Sequence, residues 1–230
     1  RRSSDLFSGM NNLAREINRM QRLRKFSFVI ESSAKLQGFY QDLDKRFENL
    51  ALRYDFANKI SFPEGEAFQK FLQSQVSVKR LSLNIQNVRS EVMAVISASL
   101  PRLQSLERLE VDFWNFKKLT FPDLASFMDA LPKISKLKEL ELFFLNNQIG
   151  DTELGKIFRS LRQFETLDSL VFHANCGSVP EEEFTEIVTE YVRTRDRNKI
   201  KCISINCENN TKTAQKKLNY YLEPRLGLSL

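Results

Sequence analysis

The sequence predicts an α/β solenoid of about seven units, strands on one face and helices on the other. Two observations carry this. A phrase recurs about every thirty residues, and within each recurrence the apolar spacing switches from period two to that of a helix. The phrase reads Leu100-Pro101-x-Leu103-x-x-Leu106-x-x-Leu109-x-Val111. It returns as Leu131-Pro132-x-Ile134-x-x-Leu137-x-x-Leu140-x-Leu142, and as Leu161-x-x-Phe164-x-x-Leu167-x-x-Leu170-x-Phe172. Repetition at this period means units that bury their apolar faces only against their neighbours.

Seven anchors follow the phrase along the chain: Leu23, Phe47, Val78, Leu106, Leu137, Leu167 and Ile200, spaced by 24, 31, 28, 31, 30 and 33 residues. After them come the pairs Phe26/Phe28, Leu50/Leu52, Leu81/Leu83, Leu109/Val111, Leu140/Leu142, Leu170/Phe172 and Ile203/Ile205. A pair at period two is a short strand with one buried face. Between strands, Phe68, Phe71 and Leu72 share one helical face, as do Val92, Val95, Ile96 and Leu100. So do Phe121, Leu124, Phe127, Met128 and Leu131, and Leu154, Ile157, Phe158 and Leu161. Helix-start signals agree: Asp151 and Glu153 follow Gly150, and Pro180 precedes Glu181, Glu182 and Glu183. Strand, loop and helix in one short unit imply a parallel sheet with helices outside it.

A first helix near Asp5–Arg22 and a last segment near Thr211–Leu222 are expected to cover the ends of the stack. In the last segment Lys212, Lys216 and Lys217 lie beside Leu218, Tyr221 and Leu222, an amphipathic pattern. No linker rich in Gly, Ser or Pro interrupts the chain, so residues 1–230 read as one domain.

At 28% charged and 42% hydrophobic residues the chain suits a globular fold with ample core. No apolar run of about 18 residues is present, so no membrane insertion is expected. The chain opens on Arg1-Arg2 without an initiator Met, which fits a fragment or a processed form. Three cysteines, Cys176, Cys202 and Cys207, argue against a disulfide framework. They suit an intracellular, reducing compartment, most simply the cytoplasm. Nineteen Phe against seven Gly indicates that Phe fills many positions where Leu is usual. The net charge of +6 divides into +5 over residues 1–25, −5 over 26–192 and +6 over 193–230. An acidic centre between basic ends is not a simple nucleic-acid-coating surface.

The stretch Leu137-Lys138-Glu139-Leu140-Glu141-Leu142, then Asn146-Asn147-Gln148-Ile149-Gly150-Asp151, then Leu154 and Leu161, resembles the leucine-rich repeat of the ribonuclease-inhibitor type. The resemblance is strongest over roughly residues 76–175. Departures are visible. Gln41 and Asp44 stand where Leu-like residues belong upstream of Phe47, and Thr194 and Arg197 do so in the last unit. After the strand, where the repeat carries Asn, Asn175 fits, Asn146 sits one place late and Trp114 takes the place in the fourth unit.

The resemblance implies strands on a concave face and helices on a convex one, with residues that alternate with the buried ones pointing to solvent. On that face Lys25, Arg53, Arg80 and Arg108 make the first half basic. Glu110, Asp112, Glu139 and Glu141 make the centre acidic, and Phe143, Val171 and His173 follow as an apolar-to-neutral patch. Charge beside exposed apolar anchors is typical of interfaces. The expected function is a non-enzymatic protein-binding scaffold, a subunit of a larger assembly that holds a protein partner on this face. The plainer alternative is a set of solvated strands whose Arg and Glu side chains pair with one another. Trp114, the only Trp, is either a loop core residue or an interface anchor on the rim.

Other functions have less in the sequence behind them. Arg15, Arg19, Arg22, Arg24 and Lys25, with Arg193, Arg195, Arg197, Lys199 and Lys201, could neutralise phosphates of RNA, but no recognition motif accompanies them. Some proteins of this repeat class activate small GTPases through a loop Arg or Asn, and no loop here matches that pattern. One His and no nucleophile in a recognisable setting give catalysis little support. His173 and Cys176, with Cys202 and Cys207 a unit later, do not amount to a four-ligand zinc site. No cofactor or metal is expected.

Overall fold

The computed structural model describes residues 3–30, 36–55, 62–86, 90–114, 121–175, 179–194, 201–211 and 214–222. The side chains of 3–9, 30, 54–55, 62–64, 86, 114, 121, 145–148, 151, 181 and 207–222 lie outside that description. Seven strands lie side by side in chain order: β1 (Lys25–Ile30), β2 (Asn49–Asp55), β3 (Arg80–Gln86), β4 (Arg108–Trp114), β5 (Glu139–Gln148), β6 (Ser169–Asn175) and β7 (Cys202–Thr211). All seven are parallel, and each pairs only with its sequence neighbours. They alternate with α1 (Ser3–Arg19), α2 (Gln37–Asp42), α3 (Phe62–Ser74), α4 (Ser90–Ser99), α5 (Phe121–Ala130), α6 (Asp151–Leu161) and α7 (Glu181–Arg193). Each helix packs on the next, so the helices form one layer on one side of the sheet. The architecture is α/β and repeat-like.

Every expected apolar pair falls in a strand at inward positions. Equivalent residues stand opposite one another, giving one buried row Leu50–Leu81–Leu109–Leu140–Leu170–Ile203 and a second Leu52–Leu83–Val111–Leu142–Phe172–Ile205. A third row, Ile85–Phe113–Phe144–Ala174, is also buried, because the strands run on past the pairs. Phe rings link the buried rows to the helices: Phe113 of the third row meets Phe127 edge-on at 5.1 Å, and Phe172 of the second meets Phe158, which in turn meets Tyr191. Rings of this size fill the sheet–helix gap with few side chains per unit.

Several boundaries differ from the sequence reading. α1 stops at Arg19 rather than Arg22, because tight turns close from Leu23 N–H to Met20 C=O and from Met20 N–H to Ile17 C=O. Trp114 is the last residue of β4, not a loop residue, and β5 continues through Asn146 to Gln148 with a register shift between Phe144 and Gln148. The segment expected to cover the far end is strand β8 (Ala214–Leu222), antiparallel to β7, with Ile203 opposite Leu222 and Thr211 opposite Ala214.

The second unit departs most. Gln41 and Asp44 do not take the upstream apolar places: Tyr40 and Leu43 are buried there instead, with one more residue before Phe47 than the repeat allows. The longer connection leaves backbone groups that the shorter turns pair internally. Two amides from other elements satisfy them. Asn18 Oδ1 accepts from the Asp44 and Lys45 N–H groups, and its Nδ2 donates to Asp42 C=O at 2.7 Å. Gln75 is fully buried, accepts from Phe47 N–H at 3.1 Å and donates to Lys45 C=O at 3.0 Å. Gln75 stands at the position held by Leu103, Ile134 and Phe164 in later units. A polar side chain in an apolar slot is explained by its neighbour's extra residue, since unpaired buried backbone groups are costly.

A second pattern lies at the edge where the strands begin. Backbone pairing runs one residue beyond the strands: Glu48 N–H donates to Arg24 C=O, Lys79 to Glu48, Glu107 to Lys79, Lys138 to Glu107, Asp168 to Lys138 and Lys201 to Asp168. The side chains along this row alternate in sign at every step. Ion pairs form at Arg24–Glu48 (3.6 Å), Lys138–Glu107 (4.0 Å) and Lys201–Asp168 (2.7 Å). The hydrogen bond that Lys201 donates to the Asp168 carboxylate is the main cause that raises the Lys201 pKa. Singly such exposed pairs contribute little; as a row they favour one register.

Two variants test these features. Gln75→Leu matches the other units yet leaves Phe47 N–H and Lys45 C=O without their side-chain partner; the expected loss is about 1–2 kcal/mol in urea unfolding, with unchanged slope. Lys138→Glu sets three acids in succession; a loss of roughly 0.5–1 kcal/mol at low salt, shrinking in high salt, is expected.

Candidate functional site

The face of the sheet opposite the helices carries the outward residues of all seven strands. Along β6 buried and half-exposed positions alternate without exception. Register sorts the outward side chains into rows. One row is Lys25–Asn49–Arg80–Arg108–Glu139–Ser169–Cys202, and the next Ser27–Ala51–Ser82–Glu110–Glu141–Val171–Ser204. The third is Val29–Arg53–Asn84–Asp112–Phe143–His173–Asn206. The expected site residues Arg53, Arg80, Arg108, Glu110, Asp112, Glu139, Glu141, Phe143, Val171 and His173 therefore share this one face. Trp114 ends β4, with its side chain outside the described residues.

The acidic centre is partly occupied by the protein's own cation. Arg108 Nη2 donates to Glu141 Oε1 at 2.6 Å and Nη1 to Glu139 Oε2 at 3.3 Å. The guanidinium fork reaches two carboxylates on the neighbouring strand, the geometry that arginine supports and lysine does not. Lys25, Arg53 and Arg80 are exposed and form no ion pair among the described residues. The unpaired charge of the face is thus cationic over β1–β3, with Glu110 and Asp112 beside it on β4.

Asp112 has an unusual setting. Its Oδ2 accepts from Asn84 Nδ2 at 2.8 Å, while Asp112 Oδ1 and Asn84 Oδ1 are buried without partners among the described residues. Burial chiefly, and then Glu110, push the Asp112 pKa above the usual carboxylate value; Arg53 opposes them. Next along the row, His173 packs edge-on against Phe143 with ring centroids 5.2 Å apart, and Asn206 Nδ2 lies 2.6 Å from His173 Nε2. The amide holds the imidazole, and the imidazole holds the Phe143 ring as a fixed half-exposed surface.

The same alternation puts Asn84 and Asn206 on this face, opposite Asp112 and His173. Each backs a charged or aromatic neighbour, and the available signal was their alignment with Asp112 and His173 one unit away. A hollow of about 250 Å³ lies between α5 and α6, over Leu124, Met128 and Ile157. Among the described residues no group of three or more His, Cys, Asp or Glu could hold a metal ion, and no helix is long and apolar enough to cross a membrane. Cys202 is half-buried and forms no disulfide among the described residues. No protein-family profile matches the sequence, and no curated protein is similar to it at a significant level.

Asp112→Asn tests the buried carboxylate. A raised acid pKa makes the native state bind protons more readily than the unfolded chain, so stability falls as pH rises from about 3.8 through the native value, then stays level. Asp112→Asn removes this dependence. Its melting point is expected to exceed that of the wild type by about 1–2 °C at neutral pH, the effect of a half-exposed group being screened. The gap closes as pH approaches 3.8; thermal melts across this range read it.

Proposed function

We propose that the chain is a leucine-rich-repeat solenoid of the ribonuclease-inhibitor type that acts as a non-enzymatic protein-binding scaffold, a subunit of a larger assembly. The open strand face is its concave binding surface. Parallel strands in chain order, paired in one register and alternating with a helix layer, support the fold reading. The proposed setting is a reducing intracellular compartment, the cytoplasm first.

One observation carries the functional reading. On the edge row every neighbouring pair of charges is opposite in sign. On the open face of the same strands, Arg80 stands directly opposite Arg108, and Glu110 opposite Glu141. Like charges side by side in a sheet are destabilising. A chain that avoids them at one edge and keeps them on the face beside it retains charge for a use other than stability. The RNA reading has less behind it: Arg15 pairs with Asp42, Arg19 with Glu16 and Lys201 with Asp168, so the basic ends are partly neutralised within the protein.

Affinity capture of the tagged chain from native extract, with and without nuclease, tests the proposal. Wild type is compared with the face variant Arg80→Glu/Glu110→Lys and the helix-side variant Glu186→Lys. A stoichiometric protein that survives nuclease, persists with Glu186→Lys and drops about tenfold with the face variant is the expected result. Loss on nuclease treatment, or loss only with Glu186→Lys, overturns it.

A further inference from the structure

We infer that the open face takes an extended acidic polypeptide segment, its carboxylates over Lys25, Arg53 and Arg80 and an apolar side chain about four residues away against Phe143. The inference rests on the protein-binding reading above and names the partner's chemistry.

Three features lead to it. The first is the division of charge. Arg108 is held by two carboxylates, whereas the three cations over β1–β3 have no ion pair among the described residues. Electrostatic attraction is therefore available to an anion at that end of the face and not at the centre. The second is direction. The zones differ from strand to strand rather than along a strand, so a ligand that meets both must cross the strands. Arg53, Asn84, Asp112 and Phe143 share one row, so Arg53 and Phe143 are three strand spacings apart. At about 4.8 Å per spacing and roughly 3.3 Å per extended residue, four residues bridge them. The third is the anchor. The Phe143 ring is fixed by His173, which Asn206 holds in turn, so an apolar contact there costs little further ordering.

The same geometry selects a polypeptide over a nucleic acid. A strand of phosphates carries one sign along its whole length, and beyond the cations it would meet Glu110 and Asp112 on β4. A polypeptide can change from acidic to apolar within four residues.

The probe is a fluorescein-labelled peptide with the core Glu-Glu-Ser-Ser-Ser-Phe, titrated with the purified chain and read by anisotropy. Controls carry Lys for Glu, or place Phe directly after the second Glu; a single-stranded uridine oligonucleotide serves as the polyanion. The expected result is saturable binding of the first peptide, weaker by about tenfold or more with Arg53→Glu/Arg80→Glu and by several-fold with Phe143→Ser. Arg53→Gln/Arg80→Gln gives an intermediate loss and guards against a folding defect in the reversed variant. Equal binding of the Lys peptide, indifference to Phe position, or tighter binding of the oligonucleotide overturns the inference. If the peptide fails while a captured partner still depends on this face, the acidic-segment inference falls and the scaffold reading stands. If no partner depends on the face, both fall.

Discussion

Each strand hydrogen-bonds to the strands one unit before and one unit after it, with equivalent residues opposite each other. Whatever the sequence places at one position of the unit therefore becomes a continuous row across the sheet. Parallel pairing of this kind needs a crossover between strands, and the helix layer supplies it. The buried rows follow from the constraint, since an apolar residue at a given position always meets its equivalents. So do the charged rows, where the same geometry brings together either partners or rivals. Gln75 illustrates how tightly the units depend on each other. An extra residue in one unit is matched by an amide in the next, at a slot that otherwise holds a large apolar side chain.

The two surfaces of the sheet resolve the constraint differently. At the edge the side chains alternate in sign and hold one another. On the open face Arg108 is satisfied between Glu139 and Glu141, whereas Lys25, Arg53 and Arg80 form no ion pair among the described residues. The Asn84–Asp112 pair and the Phe143–His173–Asn206 stack are built with second-layer support that a merely solvated strand does not need. The open face thus combines rigid backing with unspent charge, the combination a pre-formed recognition surface uses.

Strand positions were legible because Leu-x-Leu at period two after an apolar anchor has one physical solution at this repeat length. The helices were legible wherever three or four apolar residues shared a face. Tyr40 and Leu43 were not, because a one-residue insertion shifts the apolar residues off the phrase that would have located them. Asn18 and Gln75 were not, because their partners are backbone atoms of a distant loop. The extent of β5 past Phe144 was obscured by polar Asn146 and Asn147, which read as loop. On the site, membership of the face was legible from alternation alone. Which charges were paired was not: that depends on the reach and rotamer of Arg108, and on the distance across the row. The edge row was not legible because, within one unit, a lone charge after the anchor looks like any solvated residue.

The edge row also constrains how the array can change in length. Its sign repeats every two units, so the row has parity. Duplicating or deleting a single unit between Arg24 and Lys201 brings two like charges into contact at the junction, whereas gaining or losing units in pairs preserves the order. Copy number in this molecule is thereby biased toward even steps, and any odd step calls for a compensating charge change at one rung.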